Sequence, residues 1–317
     1  MRAYKLVRWG QPGQYIDVPQ PTPGPLDVLV RVKAVGLCRS DIDMMDSQPG
    51  EDPYASAIDA GYILGHETAG FVESWGSSVT DLERGRRWCS ITCATAASAS
   101  IAKPALSSIC DHFRRGAIGM TRGCGFDGGL AEFIVVPRTE LISVGSADPV
   151  LFAPLTDAGV TAYAGCKPFW PLLRPGTSVL VIGVGGVGAY AIQLIKLRTA
   201  AKVVAPDTEA RVRQFLNGRG VECVLDVVGT DRTLALAAAL VRPEGFVSVV
   251  GMQGGSVKLG WNRIATNLRE VCQLALEGKL QIDIDRFSFD QIPEAYEKLR
   301  KGQLYGRAVI VMDNVLQ

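Results

Sequence analysis

Three short segments in the first half of the chain carry a thiol, an imidazole and a carboxylate that could act together. They are Gly36-Leu-Cys38-Arg-Ser40-Asp41, Gly65-His66-Glu67 and Leu155-Thr-Asp157-Ala-Gly159. One sulfur, one nitrogen and one oxygen ligand form a set of three that suits a catalytic zinc, which keeps a fourth position open for a substrate oxygen. Each residue alone is more often structural, but His66 is one of only 2 histidines in the chain. Together the three predict a metal site.

A glycine motif further along the chain has the pattern of a dinucleotide-binding turn. The β-branched run Ser178–Ile182 leads directly into Gly183-x-Gly185-x-x-Gly188, and an apolar helical pattern follows. The first glycine permits the tight turn, the second lets the backbone approach a pyrophosphate, and the third lets helix and strand pack closely. The helix N-terminus, with Gly186 and Val187, supplies amide donors and the positive end of the dipole.

The strand after this helix ends in an acidic residue, Asp207. An acid about 20 positions beyond the glycines suits the ribose 2′-hydroxyl and repels a 2′-phosphate, so NAD is favoured over NADP. Arg211 lies in the same region and is a further candidate cofactor contact. Val228 and Val249, near the ends of later strands, could flank the nicotinamide. The alternative is an ordinary glycine-rich turn of another α/β protein.

Composition places limits on the kind of protein this is. The chain has 317 residues, 47% of them hydrophobic, which is enough for two domains with sizeable cores. A net charge of +1 argues against nucleic acid or an anionic membrane surface as the main partner. The apolar run around the glycines has strand-then-helix character and does not predict a membrane span. No charged-then-apolar signal segment is recognised, so we expect a cytoplasmic protein whose 8 cysteines are metal ligands and buried thiols.

The elements that must position these residues change character along the chain. The first half is rich in turns and strands, such as Asp27–Gly36 and 128–137. From about Pro149 the pattern alternates between helices and continuous apolar strands, which are typical of a buried parallel sheet. Helices are predicted from Leu151 to Ala164 and, with an amphipathic pattern, from Pro293 to Lys301. The predicted organisation is a β-rich catalytic domain (1–149), a nucleotide-binding domain (150–286) and a return to the first domain (287–317).

The GLCRSD, GHE, LTDAG and GVGGVG segments, in this order and spacing, resemble the medium-chain, zinc-dependent alcohol dehydrogenase family over nearly the whole length. The resemblance implies a GroES-like catalytic domain with an inserted Rossmann domain. It implies that Cys38, His66 and Asp157 bind zinc. Glu67 would be a neighbouring carboxylate that coordinates transiently, and Ser40 would pass the alcohol proton towards solvent.

The implied reaction is hydride transfer between an alcohol, which we expect to be secondary, and NAD, giving a ketone or aldehyde. Zinc would act as a Lewis acid on the alcohol oxygen. The resemblance also implies a homodimer or homotetramer. Two alternatives remain open. One is a zinc-free relative that reduces quinones or enones, and the other is a catalytically impaired variant that binds NAD.

The chain departs from the family where a structural zinc lobe of the form C-x2-C-x2-C-x7-C is often found. The corresponding positions are Ala96, Ala99, Ala102 and Cys110, and only the last is a cysteine. We therefore predict one catalytic zinc ion and no structural zinc site with four thiolates. Suitable codons read in another frame between Arg86 and Ala102 would restore the missing cysteines, which is the basis for the hypothesis of a local frameshift. The coding DNA tests it: if no codon ending in T precedes these alanines, the hypothesis is wrong.

Two stretches of the nucleotide-binding half are shorter than a complete doubly wound sheet requires. Only 208–220 separates Asp207 from the next strand, which leaves room for one short helix. Likewise 261–266 joins almost directly to the next helix, where the family usually has a strand that pairs between subunits. We therefore predict a shortened Rossmann sheet. The strand through which subunits of the family usually pair would be missing, so dimerisation through that edge is not expected to follow from the resemblance. An exposed sheet edge would also be prone to aggregation.

Overall fold

The structure is a computed structural model that describes residues 1–48, 58–90, 121–205, 212, 214, 219–256 and 268–312. Within these ranges the strands in chain order are β1 (Arg2–Leu6), β2 (Gln14–Asp17), β3 (Asp27–Gly36), β4 (Tyr62–Ile63), β5 (Glu67–Trp75), β6 (Arg87–Ser90), β7 (Thr121–Arg122), β8 (Gly125–Phe126), β9 (Phe133–Pro137), β10 (Leu141–Ser143), β11 (Ser178–Ile182), β12 (Lys202–Val204), β13 (Val221–Asp226), β14 (Val241–Val249), β15 (Ile284–Ser288) and β16 (Arg307–Val311).

The helices within the described ranges are α1 (Arg39–Asp46), α2 (Ala158–Cys166), α3 (Gly186–Arg198), α4 (Asp231–Leu240), α5 (Leu268–Leu276) and α6 (Ile292–Lys301). Short 3-10 turns cover Arg138–Glu140, Pro149–Leu151, Ala153–Thr156, Lys167–Leu172 and Phe289–Gln291. Of the helices described, none is both long and apolar enough to cross a membrane.

The chain divides into two compact units. The first consists of Met1–Asp157 together with Ile282–Gln317, and the second of Ala158–Gln281. The predicted fold class, a β-rich unit plus a parallel nucleotide-binding sheet, is confirmed. The predicted domain boundaries at 149/150 and 286/287 lie near the limits of these units, and they stay a prediction.

The first unit is built around a mixed seven-stranded sheet in the order β10-β6-β5-β3-β16-β15, with β9 also paired to β3. The ten-residue strand β3 is central because it pairs antiparallel with β5, β9 and β16. A smaller sheet, β2-β1-β4, packs into the same core. The pairing of β16 with β3 brings the C-terminal segment next to residues that lie far away in sequence.

The second unit contains a parallel four-stranded sheet in the order β12-β11-β13-β14. Its central strand β11 is an almost continuous apolar run, as expected when both faces of a sheet are covered, and Val179–Val181 are fully buried. This order corresponds to the middle of a doubly wound sheet, with the first strand flanked by the second and fourth. Within the described residues these four strands make up the sheet, and the predicted shortening stays a prediction because 206–211, 215–218 and 257–267 lie outside them.

The predicted helix from Leu151 to Ala164 is wrong in its first half. The structure has 3-10 turns at Pro149–Leu151 and Ala153–Thr156, and the α-helix begins only at Ala158. Pro154 explains the difference, because a proline lacks the amide proton needed for a continuous helical ladder. The interruption places Asp157 between the turn and the helix, with φ −127° and ψ −71°.

Candidate active site

Cys38, His66 and Asp157 converge in the first unit, although each comes from a different part of it. One atom of each side chain, a sulfur, a ring nitrogen and a carboxylate oxygen, lies within 4.8 Å of the other two. His66 Nε2 and Asp157 Oδ2 are 3.5 Å apart. Within the described part of the chain, this is the group of histidine, cysteine and acidic side chains arranged to hold a metal ion.

Local structure explains how each candidate ligand is positioned. Cys38 follows β3 and is the N-cap residue of α1. His66 lies immediately before β5, at the end of a loop whose Gly65 has φ +91°. A Cβ on Gly65 would lie 2.6 Å from the Leu130 side chain, so only glycine fits this turn. The loop is thus packed tightly, which fixes where the His66 backbone enters the site.

Asp41 supports two of the three candidate ligands and was not among the predicted site residues. Its Oδ2 accepts a hydrogen bond from the backbone N–H of Cys38 at 2.8 Å, and its Oδ1 lies 3.3 Å from His66 Nδ1. A carboxylate on the far ring nitrogen fixes the orientation of a metal-binding histidine and increases its basicity. The three-residue spacing from Cys38 to Asp41 is that of a capping box, a signal that the sequence does contain.

Ser40, the predicted proton carrier, lies on the metal-facing side of the imidazole. Its Oγ is 3.3 Å from His66 Nε2, the same nitrogen that faces Asp157. The hydroxyl is therefore next to the position that an alcohol oxygen would occupy. This placement is consistent with the proton-transfer role that the resemblance implies.

Glu67 forms a buried ion pair with Arg307, a residue that the sequence analysis did not identify. The guanidinium contacts both carboxylate oxygens, with Nε at 3.0 and 3.1 Å, and Arg307 Nη2 also lies 3.4 Å from Asp157 Oδ2. Glu67 is 0% and Arg307 6% exposed. Gly36, paired with Glu67 across the sheet, leaves room for the carboxylate, since a Cβ there would lie 1.7 Å from Oε2.

The electrostatics of the site favour positive charge at its centre. Burial alone would lower the pKa of His66, but Asp41 and hydrogen bonds to Asp157, Asp41 and Cys38 raise it well above 6.5. Burial alone would raise the pKa of Asp157, yet His66 and Arg307 hold it well below its usual range. Burial raises the pKa of Glu67 to about 7, against the opposing charge of Arg307. The carboxylates of Asp41 and Asp157 therefore stabilise a positive charge on the His66 imidazole, and the same surroundings suit a metal cation.

The chemistry of the three donors decides whether a zinc ion fits between them. The donor set of sulfur, imidazole nitrogen and carboxylate oxygen is one that zinc accepts in proteins. The histidine presents one nitrogen to the other two donors and the second to a carboxylate, which is the usual arrangement around a metal-binding histidine. Three protein donors also leave a coordination position for a substrate, as a catalytic site requires. The residues present therefore fit zinc.

The glycine motif in the second unit has the geometry that its spacing predicts. Gly183 follows β11 with φ +90°, and a Cβ there would lie 2.7 Å from the Val228 side chain. A Cβ on Gly188 would lie 1.9 Å from the carbonyl oxygen of Gly183, whereas nothing lies within 4 Å of one on Gly185. Helix α3 begins at Gly186, so the unobstructed Gly185 is the N-cap residue beside the unpaired amides of the first helical turn.

The strands of the second unit end in register beside this loop. Ile182 pairs with Asp226, and Asp226 pairs with Val249, so β11, β13 and β14 finish at one edge of the sheet. The predicted cofactor contacts Gly183, Val228 and Val249 are thereby brought together, with Val187 in the first turn of α3. Ligands of doubly wound sheets bind at this carboxyl edge.

Several predicted positions lie outside the described residues. Asp207, the predicted ribose contact, and Arg211, a further predicted cofactor contact, are among them. So are Ala96, Ala99, Ala102 and Cys110, the positions of the structural zinc lobe, together with the hypothesised frameshift from position 91 onward and the 261–266 junction. Predictions at these positions stay predictions.

Comparisons with known proteins agree with both units. Residues 24–146 match the alcohol dehydrogenase GroES-like domain model, and residues 199–310 match the zinc-binding dehydrogenase model. A D-arabinose 1-dehydrogenase (NADP(+)) of Saccharolobus solfataricus is 26% identical, with 98% of this chain and 97% of that protein covered. An NAD-dependent alcohol dehydrogenase of Sulfurisphaera tokodaii is 25% identical, with 98% and 100% covered.

A solved structure with the same fold is the alcohol dehydrogenase of Aeropyrum pernix, with a TM-score of 0.89, 27% identity, and coverage of 98% of this chain and 100% of that one. The sequence alignment with the Saccharolobus enzyme extends over 355 positions, although the chain has 317 residues. Gaps must therefore open within this chain. On the matched domains, the shared fold and the zinc-type donor set, the chain belongs to the medium-chain, zinc-dependent alcohol dehydrogenase family.

Proposed function

We propose that this protein is an NAD-dependent alcohol dehydrogenase that transfers hydride between a small secondary alcohol and NAD, giving a ketone. The observation that carries the proposal is the convergence of Cys38, His66 and Asp157 within 4.8 Å of one another. The family is an oxidoreductase family, and the relatives named above are NAD- or NADP-dependent dehydrogenases. The glycine loop of the second unit supplies the place for the cofactor.

Each residue has a role that follows from its position. Cys38, His66 and Asp157 would hold the zinc ion, which when bound would supply the Lewis acidity that makes an alcohol easier to deprotonate. Asp41 keeps the imidazole oriented through Nδ1. Ser40 Oγ, next to the same imidazole, accepts the alcohol proton and passes it on. The buried ion pair of Glu67 with Arg307 balances the charge behind the ligands.

On the cofactor side, Gly183, Gly185 and Gly188 let the backbone approach the pyrophosphate, and the amides of Gly186 and Val187 donate to it. Val228 and Val249 line the nicotinamide end. Asp207 and Arg211 are proposed at the adenosine ribose, and Asp207 selects NAD over NADP. Replacing Asp207→Ala is expected to lower the ratio of NAD to NADP turnover. An unchanged ratio would remove that role.

The metal assignment is tested on purified protein by zinc content together with turnover of 2-propanol and of a longer secondary alcohol. Wild type should contain one zinc per chain and form NADH, whereas Cys38→Ala should lose both. Cys223→Ala is the matched control, because Cys223 is a fully buried thiol in β13 of the other unit. Equal turnover of wild type and Cys38→Ala would contradict the assignment.

Ser40→Ala separates proton transfer from metal binding. Loss of a positioned proton carrier should lower kcat by roughly 10²-fold or more, since such groups contribute about 10²–10⁴-fold. Zinc content should stay at the wild-type level, because Ser40 is not among the metal-binding donors. Unchanged kcat would refute the role.

The alternatives predict different outcomes of the same measurements. A zinc-free quinone or enone reductase would contain no zinc and would turn over enones with a reduced cofactor. An impaired variant, to which the shortened sheet points, would bind zinc and NADH yet form no NADH from any alcohol. We further propose a cytoplasmic homodimer or homotetramer. Light scattering after size exclusion tests the assembly, and a monomer would refute it.

A further inference from the structure

Asp226 is the last residue of β13 and lies fully buried at the carboxyl edge of the parallel sheet, beside the glycine loop. Its Oδ1 accepts hydrogen bonds from the backbone N–H groups of Val228 at 2.8 Å and Gly229 at 3.1 Å. Its Oδ2 has no hydrogen-bond partner in the part of the chain that the structure describes. A buried acid is normally held by partners of its own, and here the bonds shown for the carboxylate all come from the turn that follows β13.

Other contacts of this turn join it to both neighbouring strands. The N–H of Val227 donates to the carbonyl of Ile182, the last residue of β11, at 3.1 Å. The carbonyl oxygen of Asp226 accepts from the N–H groups of Val250 and Gly251, at 2.8 and 3.2 Å. Asp226 is therefore the residue at which the ends of β11, β13 and β14 are connected.

The turn also packs closely against the glycine loop. A Cβ on Gly183 would lie 2.7 Å from Val228 Cγ2 and 3.0 Å from Val227 Cγ2. On the other side, a Cβ on Gly251 would lie 2.0 Å from the carbonyl carbon of Val228. The turn is thus packed between the first glycine of the loop and the end of β14, with no room for a further methyl group on either side. Any displacement of the turn changes the position of Val228, which we assign to the nicotinamide end.

We propose that Asp226 is a positioning residue for the nicotinamide end of the cofactor, acting through the turn 227–229. One carboxylate oxygen holds two consecutive amides, so it fixes the path of the chain after β13 and the place of Val228 beside Gly183. A wall that is already ordered binds its ligand without the cost of ordering it on binding. The inference rests on the proposed function, because it takes Val228 to line the nicotinamide.

Comparison of NADH with ADP-ribose tests the inference, because ADP-ribose has the adenosine and diphosphate of the cofactor but no nicotinamide. In Asp226→Ala both amides lose their acceptor, so the affinity for NADH should fall about tenfold. The affinity for ADP-ribose should stay within about twofold of wild type, because Gly185 and the N-terminus of α3 are unchanged. Isothermal titration calorimetry measures both. A general loss of structure would weaken the two ligands alike, so the ratio of their affinities separates positioning from stability.

Two further substitutions at the same position sharpen the test. Asp226→Asn retains a side-chain oxygen that can accept from the same amides, so it should bind NADH as wild type does. A serine forms such a turn more weakly, so Asp226→Ser should give an NADH affinity between those of wild type and Asp226→Ala, with ADP-ribose affinity unchanged. The serine variant decides the question if Asp226→Ala does not fold.

Glu222→Ala is the matched control. Glu222 lies near the opposite end of the same strand, where its Oε2 accepts from the backbone N–H and the hydroxyl of Ser178 at 2.7 and 2.9 Å. Its replacement also deprives a backbone amide of a side-chain acceptor, but at the edge of the sheet away from the glycine loop. The ratio of NADH to ADP-ribose affinity should therefore stay at the wild-type value.

Equal losses of NADH and ADP-ribose affinity in Asp226→Ala or Asp226→Ser would overturn the inference, and so would wild-type affinity for both ligands in these variants. A loss of NADH affinity in Asp226→Asn as large as that in Asp226→Ala would overturn it too, because the side-chain acceptor is retained. Those results leave the proposed function intact. A wild-type protein that binds neither NADH nor ADP-ribose would overturn the proposed function and the inference together.

Discussion

Arg307 is a buried cation held by carboxylates of the site, and its removal should be costly. Breaking a buried ion pair leaves an uncompensated charge, so Arg307→Met is expected to destabilise the protein by about 3–5 kcal/mol. Pairing it with Glu67→Gln should recover much of that loss, because the charge to be compensated is gone. Urea unfolding measures both, with Arg300→Met as control, since its exposed pair with Asp46 contributes about 0–1 kcal/mol.

An Arg307→Met variant as stable as wild type would mean that Glu67 is protonated or otherwise paired in the folded protein. The comparison with Arg300→Met matters because both arginines lie near the C-terminus and both pair with a carboxylate of a distant segment. Arg307 and Glu67 are buried and Arg307 also lies near Asp157, whereas Arg300 and Asp46 are partly exposed and form a single contact.

The cysteines should differ sharply in reactivity. Cys166 and Cys223 are fully buried, and burial raises the pKa of Cys223 to about 12 and that of Cys166 further. A raised pKa favours the neutral thiol, so at pH 8 roughly one in 10⁴ Cys223 side chains would be a thiolate. Neither should react with iodoacetamide in the native protein. Cys38, which is partly exposed, should react after zinc removal and be protected when zinc is restored.

Peptide mass spectrometry reads out each cysteine separately, and labelling in guanidinium provides the fully reactive reference. Rapid native labelling of Cys223 would contradict the burial of β13. Equal labelling of Cys38 with and without zinc would instead contradict its place among the metal ligands.

At the level of secondary structure, two glycines in the turn between β11 and α3 are expected to have different roles. One is needed for the stability of the fold, and the other for binding of the cofactor. Gly188→Ala forces a Cβ to 1.9 Å from the Gly183 carbonyl oxygen, and should cost about 1–3 kcal/mol of stability. Gly185→Ala meets nothing within 4 Å and has φ −84°, so stability should change by no more than about 1 kcal/mol. The new methyl group projects into the space assigned to the pyrophosphate, and NADH affinity should fall about tenfold or more.

Thermal unfolding and NADH fluorescence titration distinguish the two glycine variants. If Gly185→Ala binds NADH as tightly as wild type, the pyrophosphate does not approach at this loop. If Gly188→Ala is fully stable, the helix has moved away from the strand and the packing argument is wrong.

The elements show what the sequence could and could not predict. The strand predicted at Asp27–Gly36 is β3 with the same limits, and the helix predicted from Pro293 to Lys301 begins one residue earlier. Periodicity and breakers are local signals, so they locate such elements well. The strand predicted over 128–137 forms only from Phe133, because Gly128 and Gly129 pack against the Gly65 and Thr68 region.

The candidate site could be predicted only in part, because sequence motifs are local signals and some contacts join segments far apart in the chain. Motifs identified Cys38, His66 and Asp157, and the structure brings them together. Arg307 pairs with a residue 240 positions away through the β3–β16 pairing, and no local pattern predicts that contact. A single arginine in the apolar run 306–312 was the available signal, because a charge that is buried must be paired.

In the whole molecule, the two candidate binding sites belong to different compact units. The proposed zinc ligands lie in the first unit, and the glycine loop lies in the second. The parallel sheet of the second unit has four strands, against seven in the main sheet of the first, and β12 and β14 are its outer strands among the described residues. If the sheet of the second unit is shortened as predicted, cofactor binding should be affected most. The metal site should be affected less, because its residues all belong to the first unit.

Hydrogen exchange followed by mass spectrometry should therefore resolve two separate footprints. Zinc added to metal-free protein should slow exchange around Cys38 and His66, because binding to the folded state stabilises it by RT ln(1 + [L]/Kd). NADH should slow exchange at the start of α3 and near Val228. Gly185→Ala serves as the control, since it should lose the NADH footprint and keep that of zinc. A zinc footprint without any NADH footprint in wild type would identify the shortened nucleotide-binding unit as the defect of an impaired variant. An NADH footprint without zinc protection would instead favour the zinc-free reductase.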